Sequence, residues 1–220
     1  MTVTATSSRF LAKALASTSV PIVAAALFAA ALAAVALAAA GCSSSPAVNH
    51  SEGPPRKVPS IHLLAAAPAP AGWHVVRLPD GKAAMAYPPD MHSIDGDRGT
   101  VSAARFSSSG GFLLYLNSTP KQGDETLSDW PDFRVEHLTD EDASTARLLA
   151  ASHGVRFLGG TGTCVVDTYV TRVKAHHYTE LACYVQGKTS SSVIIAAARA
   201  PDWKQESGML MRAVAAYRVR

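Results

Sequence analysis

The chain has 220 residues, with 20 basic and 17 acidic side chains and 48% hydrophobic residues, enough for one domain with a proper core plus further segments. Two of the basic residues, Arg9 and Lys13, stand in the N-terminal stretch, so the rest of the chain carries 18 basic against 17 acidic side chains, a net charge of +1. No block of like charge remains, which excludes the electrostatic footprint of a nucleic-acid binder or of a protein held on an anionic membrane by charge alone.

Residues 1–41 contain no acidic residue, and Val20 to Ala40 is an uncharged run dominated by Ala, Val and Leu, with Pro21 near its start. A basic start, an apolar middle and small residues at the end make a secretory signal. A run of about 20 apolar residues is also long enough to span a bilayer uncleaved. Cys42 favours cleavage. Ala39-Ala40-Gly41-Cys42 resembles a bacterial lipobox, with Ala39 where Leu is usual. Small residues let a peptidase approach the backbone, and the thiol takes up a diacylglyceryl group. Two or more acyl chains, palmitate among them, hold a protein far more firmly than one. The expected mature chain starts at Cys42, has 179 residues, and is lipid-anchored on the extracytoplasmic face of the cell membrane. An uncleaved anchor and ordinary secretion are the alternatives.

Residues 42–71 read as a lipidated, Pro/Ser-rich tether. Pro46, Pro54, Pro55, Pro59, Pro68 and Pro70 stand among Ser, Asn and Gly, a composition that buries too little apolar surface to fold. As a flexible chain of about 29 residues it would reach on the order of 30 Å. The apolar patch Ile61 to Leu64 reads either as a short docking segment or as part of the linker.

Residues 72–220 read as a single domain. Trp73, Val75, Val76 and Leu78 predict a first strand. Asp80-Gly81-Lys82 is a hairpin turn, because Asp-Gly supplies the positive φ that tight turns require. A second strand, Ala83 to Tyr87, stops at Pro88-Pro89. Val101 to Ser107 and Gly111 to Leu116 predict two more, and Asn117 to Asp124 a loop. Leu127, Trp130, Phe133 or Arg134, and Leu138 have helical spacing, with Pro131 admissible only near the first turn. Ala146 to Ala151 is ambiguous between helix and strand, and we read it as a strand running toward Phe157. Thr163 to Val173 and Tyr178 to Gln186 are β-rich runs joined by a polar turn. Val193 to Ala198 is apolar on both faces, as expected of a central strand. Pro201-Asp202-Trp203 opens a last helix, with Asp202 and Gln205 spaced as a capping box. Trp203, Leu210, Val214 and Tyr217 form its apolar stripe. The order predicts an α+β fold: an antiparallel sheet flanked by helices, with the C-terminal helix packed on it.

With Cys42 used by the anchor, Cys164 and Cys183 remain as an even pair in an exported, oxidised chain, which points to a disulfide. If they face each other across an antiparallel hairpin, Val166 meets Leu181, Thr168 meets Thr179 and Val170 meets His177. That register gathers Cys164, Val166, Val170, Leu181, Cys183 and Val185 on one apolar face. Opposed residues then lie about 4.5 to 5.5 Å apart, inside the range of a disulfide. The alternative is two buried free thiols packed as small apolar groups.

From Trp73 to Val219 the chain resembles the PsbP-like fold as found in actinobacterial lipoproteins. The likeness rests on "LPDGKAAMAYPPDM", "YLNSTPKQGDETLSDW", "GTGTCVVDTYVTRV" with "YTELACYV", and the terminal "W…AVAAYRV" helix. Related sequences often place an aromatic residue after the Tyr-Pro, where this chain has Asp90-Met91. The resemblance implies a non-catalytic accessory or binding domain and brings no active site with it.

The residues themselves offer little chemistry. Gly187-Lys188-Thr189 looks like the end of a P-loop, but the Gly required five positions earlier is Ala182. Gly159-Gly160-Thr161-Gly162 lacks the third spaced Gly of a dinucleotide fingerprint and reads as a flexible loop. Gly-x-Ser-x-Gly and His-Glu-x-x-His are absent from the sequence. His176 and His177 near Glu180 suggest a metal, yet adjacent strand residues point to opposite faces, so no metal site and no cofactor are expected. Asp167, with Tyr169 on the same strand face and Arg172 and Glu180 nearby, is the candidate binding face. Its plain reading is the solvent side of an antiparallel strand. The expected function is an exported, lipid-anchored, non-catalytic binding or accessory module of the bacterial cell envelope, with an envelope protein or a small ligand as partner. An unrecognised envelope hydrolase and a purely structural envelope protein are the alternatives.

Overall fold

The computed structural model describes residues 58–141 and 143–220, without the side chain of Glu141. The export signal, Cys42 and residues 42–57 of the expected tether lie outside the described residues.

The elements are β1 (His74–Arg77), β2 (Ala83–Tyr87), β3 (His92–Ile94), β4 (Val101–Phe106), β5 (Phe112–Pro120), α1 (Trp130–Glu141), β6 (Ala143–Phe157), β7 (Gly160–Thr171), β8 (His177–Gly187), β9 (Ser191–Arg199), α2 (Trp203–Ala215) and β10 (Arg218–Val219). Seven strands form one antiparallel sheet in the order β3-β4-β5-β9-β8-β7-β6, and β1, β2 and β10 form a second. Period-2 alternation divides the large sheet into two faces. Leu116, Cys164, Leu181, Cys183, Ile194 and Ala196 point to one face, where they pack with Leu210, Ala213 and Val214 of α2 and with the small sheet. Val165, Ala182, Tyr184 and Val193 point to the other, under Trp130 and Phe133 of α1. The α+β expectation, with the C-terminal helix on the sheet, describes this arrangement.

Cys164 and Cys183 are joined, with their Cα atoms 4.0 Å apart. The β7–β8 register pairs Val166 with Leu181, Thr168 with Thr179 and Val170 with His177, as expected. Ala146 to Ala151 is strand, inside the 15-residue β6.

Other expectations give way to the structure. Asn117 to Pro120, expected to be loop, belongs to β5. Asn117 and Ser118 are polar but bonded inside the fold: Asn117 Nδ2 donates to Ser102 Oγ at 2.8 Å, and Ser118 Oγ lies 2.7 Å from the Tyr217 hydroxyl. Asp202 gives α2 no side-chain cap; its carbonyl accepts from Gln205 and Glu206 N–H instead. Tyr217 lies beyond the end of α2. The run Gly159–Gly162 is a tight turn and strand start, not a flexible loop. Gly159 has φ +93°, and a Cβ there would stand 2.1 Å from the Val219 carbonyl, so the glycine serves close backbone approach.

The tether expectation is also corrected at its C-terminal end. The Ala151 N–H of β6 donates to the Pro59 carbonyl at 2.9 Å, and the Ala67 N–H donates to the Ala215 carbonyl of α2 at 3.0 Å. Ile61 N–H donates to Ser152 Oγ at 2.8 Å, and Ile61 and Leu63 pack on the core. The folded unit therefore includes residues 59–67. Two apolar residues, Ile61 and Leu63, are enough to lay an extended segment on a ready-made surface without a strand pattern of their own.

Candidate functional site

The β7–β8 register sets Asp167 opposite Glu180. Both are buried, at 0% and 1% exposure, which corrects the reading of this face as a solvent face. The cause is α1, which crosses it. Trp130, Arg134 and Leu138 stand at i, i+4 and i+8 of that helix and are all buried. Trp130 fixes the helix by donating its indole N–H to the Ala182 carbonyl at 3.0 Å. Arg134 reaches down to Glu180 Oε1, with Nε at 2.7 Å and a terminal nitrogen at 2.6 Å.

Both carboxyl oxygens of Asp167 are buried and receive no donor. Burial first, and then the charge of Glu180, push its pKa well above the ordinary carboxylate range, against the pull of Arg134. Glu180 stands directly across the ladder from Asp167, so the neutral acid that this environment favours has an acceptor facing it. A carboxyl without donors is tolerated here because, protonated, it becomes a donor. Arg134 and Glu180 thus satisfy each other, with Asp167 buried beside them.

Beside α1 the same face stays open as a groove of about 1140 Å³. Tyr115, Asn117, Val193, Ile195, Tyr178 and Glu180 form its floor. Phe133, Arg134 and His137 of α1 make one wall, and Asp95, Asp97 and Thr100 after β3 make another. Phe106, Phe112 and the turn residues Val173, Lys174 and His176 close the far end. Aromatic rings dominate. Tyr169 stacks on Tyr178 at 5.6 Å, Phe112 on Tyr115 at 5.5 Å, and Phe133 on His137 at 5.6 Å. Burial raises the Tyr115 and Tyr169 phenols above their usual pKa, so both rings stay neutral. At that far end Phe106, Phe112 and Val173 are exposed.

Of the expected binding face, Tyr169, Arg172 and Glu180 line this groove, and Asp167 does not. Asp167 sits behind Glu180 as its support. Arg172 turns to the end of α1, donating to the Ala143 carbonyl at 3.1 Å and to the Thr139 carbonyl. His176 ends the β7–β8 turn and His177 begins β8: His176 Nδ1 lies 3.2 Å from an Arg199 guanidinium nitrogen, while His177 is exposed. Among the described residues no three His, Cys, Asp or Glu side chains are grouped to hold a metal ion. Gly187-Lys188-Thr189 lies at the β8–β9 turn, where Thr189 N–H meets the Arg220 carbonyl. Sequence reasoning missed Tyr115, Asn117, Tyr178 and the role of Arg134. The signal for Arg134 was its place between Trp130 and Leu138 on the buried stripe.

No protein-family model matches the chain, and no curated protein matches it in sequence. Solved structures do. The cyanobacterial PsbP protein CyanoP from Synechocystis sp. PCC 6803 is similar over 69% of this chain and 95% of its own, with 12% identity and a TM-score of 0.50. A Bacteroides thetaiotaomicron protein overlaps 68% of this chain and 49% of its own at 13% identity, with a TM-score of 0.42. A Pseudomonas aeruginosa protein of unknown function overlaps 65% and 94% at 9% identity, with a TM-score of 0.36. At these identities the likeness to CyanoP is one of fold: the chain has a PsbP-like fold.

Proposed function

We propose that the protein is a non-catalytic binding module of the bacterial cell envelope that takes its ligand in the aromatic groove beside α1. One observation carries the reading. The ionisable groups on the groove floor are spent on one another. Glu180 takes two donors from Arg134, and Asp167 is screened behind it. The rest of the floor is ring surface, Val193, Ile195 and the Asn117 amide, with charged side chains such as Asp95, Asp97 and Lys174 at its rim, a mixture of apolar lining and a few polar groups that suits binding. The PsbP-like fold agrees with an accessory role.

Anchoring belongs to the same proposal. The spacing Ala39-Ala40-Gly41-Cys42 after an apolar run supports acylation of Cys42 and a place on the outer face of the cell membrane. Metabolic labelling with a fatty-acid analogue tests this: label should appear in the wild type and vanish with Cys42→Ser.

The groove is tested with a small uncharged probe, 4-fluorobenzyl alcohol, followed by fluorine NMR. Its line should broaden with the wild-type chain. Ile195→Trp, which places an indole on the floor, should abolish the broadening. Equal broadening in both would refute the groove as the site.

A further inference from the structure

The groove is electrically two-ended, and the topology shows how. In the antiparallel ladder Val101 pairs with Ser118 and Phe106 with Phe112. The loop bearing Asp95 and Asp97 precedes Val101 and so stands at one end of these strands. The β7–β8 turn stands at the other, since Tyr178 hydrogen-bonds the Phe112 carbonyl at 3.1 Å and Arg199 does so at 2.9 Å. The ion pairs among the described residues are Arg105–Asp90, Arg105–Glu206 and Arg134–Glu180. Asp95, Asp97 and Lys174 belong to none of them, and all three are exposed and line the groove.

Lys174 is held there at a conformational cost. It has φ 62° and Ala175 has φ 46°, a left-handed pair that side chains with a Cβ rarely adopt. The turn is braced by Thr171, whose hydroxyl donates to the Val173 carbonyl at 2.7 Å and accepts the His176 N–H at 3.0 Å. The chain thus keeps a lysine in a strained turn at the end of the groove away from its two free aspartates.

Resting on the groove reading above, we propose that the ligand is a short free peptide with apolar or aromatic side chains, lying extended along the groove. Its terminal ammonium meets Asp95 and Asp97, and its terminal carboxylate meets Lys174. Six residues of strand separate the two ends of the floor, roughly 20 Å, which an extended peptide of about six residues matches. Side chains on one side of such a peptide, two residues apart, meet the ring pairs of Phe112 with Tyr115 and Tyr169 with Tyr178. A zwitterionic lipid fits less well, because both of its charges sit at one end.

The test is calorimetry on the full chain in detergent, with the hexapeptide Ala-Phe-Ala-Phe-Ala-Leu carrying free termini, an acetylated N-terminus or an amidated C-terminus. The free peptide should bind, and each block should weaken it about tenfold. In Asp95→Asn with Asp97→Asn, acetylation should cost nothing further. In Lys174→Gln, amidation should cost nothing further. Equal binding of free and blocked peptides, or costs that persist in the matching variants, would overturn the proposal. The uncharged fluorinated probe separates the two failures. If it still broadens and the peptide does not bind, the peptide reading alone falls. If neither binds, the groove reading falls with it.

Discussion

The two faces of the seven-stranded sheet are built from alternate residues of the same strands, yet they hold together differently. On the α2 face Cys164, Leu181, Cys183, Ile194 and Ala196 make a dry core under Leu210 and Val214. On the α1 face, one residue along, Asp167 and Glu180 are as deeply buried as those aliphatic groups. The contrast shows that alternation assigns residues to faces but leaves open which face meets water. A helix placed over a polar stripe turns it into an interior, and that interior has to be neutral. Arg134 pairs with Glu180, and burial favours the neutral form of Asp167.

Stability measurements can break or sharpen this contrast. The largest effect is expected on the polar face. Arg134→Ala should cost about 3–5 kcal/mol in urea unfolding, because it strands a buried carboxylate. Arg134→Met combined with Glu180→Met should recover much of the loss. A loss under 1 kcal/mol for Arg134→Ala would mean that the face is wet. Next comes the apolar face. Cys164→Ala with Cys183→Ala should cost about 3 kcal/mol through the lost constraint on a loop of 19-residue separation. Unreduced, unfolded protein should titrate no thiol at these two positions.

A third effect has the opposite sign. Asp167→Asn keeps a donor to Glu180 and removes a titrating group, so it should stabilise by about 1 kcal/mol at neutral pH. Because the folded pKa of Asp167 is raised, the folded chain keeps a proton that the unfolded chain releases. Wild-type stability therefore falls as pH rises from the ordinary carboxylate pKa through the folded one, and the advantage of the variant should disappear below that window. Parallel stability–pH curves for the two proteins would refute the neutral Asp167. The smallest change is Ala175→Gly, which relieves a left-handed alanine and should stabilise by about 0.5 kcal/mol. It should leave probe binding unchanged.

Much of the fold was legible because its signals are local. Asp80-Gly81 marks a hairpin, Val193 to Ala198 marks a central strand, and two cysteines on an apolar face fix the β7–β8 register residue by residue. The site was less legible because its logic is not local. Asp167 lies in a β-rich run that looks half exposed, and its partner Arg134 comes from a helix whose face cannot be chosen until the sheet exists. Asn117 and Ser118 read as loop for the same reason: their partners Ser102 and Tyr217 are distant in the chain. Tyr115 and Tyr178 read as ordinary strand aromatics, and only the position of α1 leaves them facing an open groove.

The segment from Pro59 to Ala67 bears on the outer edge of the large sheet. β6 is an outer strand of 15 residues, long enough to template pairing with another chain. Pro59 already occupies the Ala151 N–H on its free side, and three register shifts along β6 interrupt the ladder. The opposite edge, β3, is only three residues long. A fragment beginning at Gly72, where composition places the start of the domain, would leave that amide bare and the long edge open to self-association.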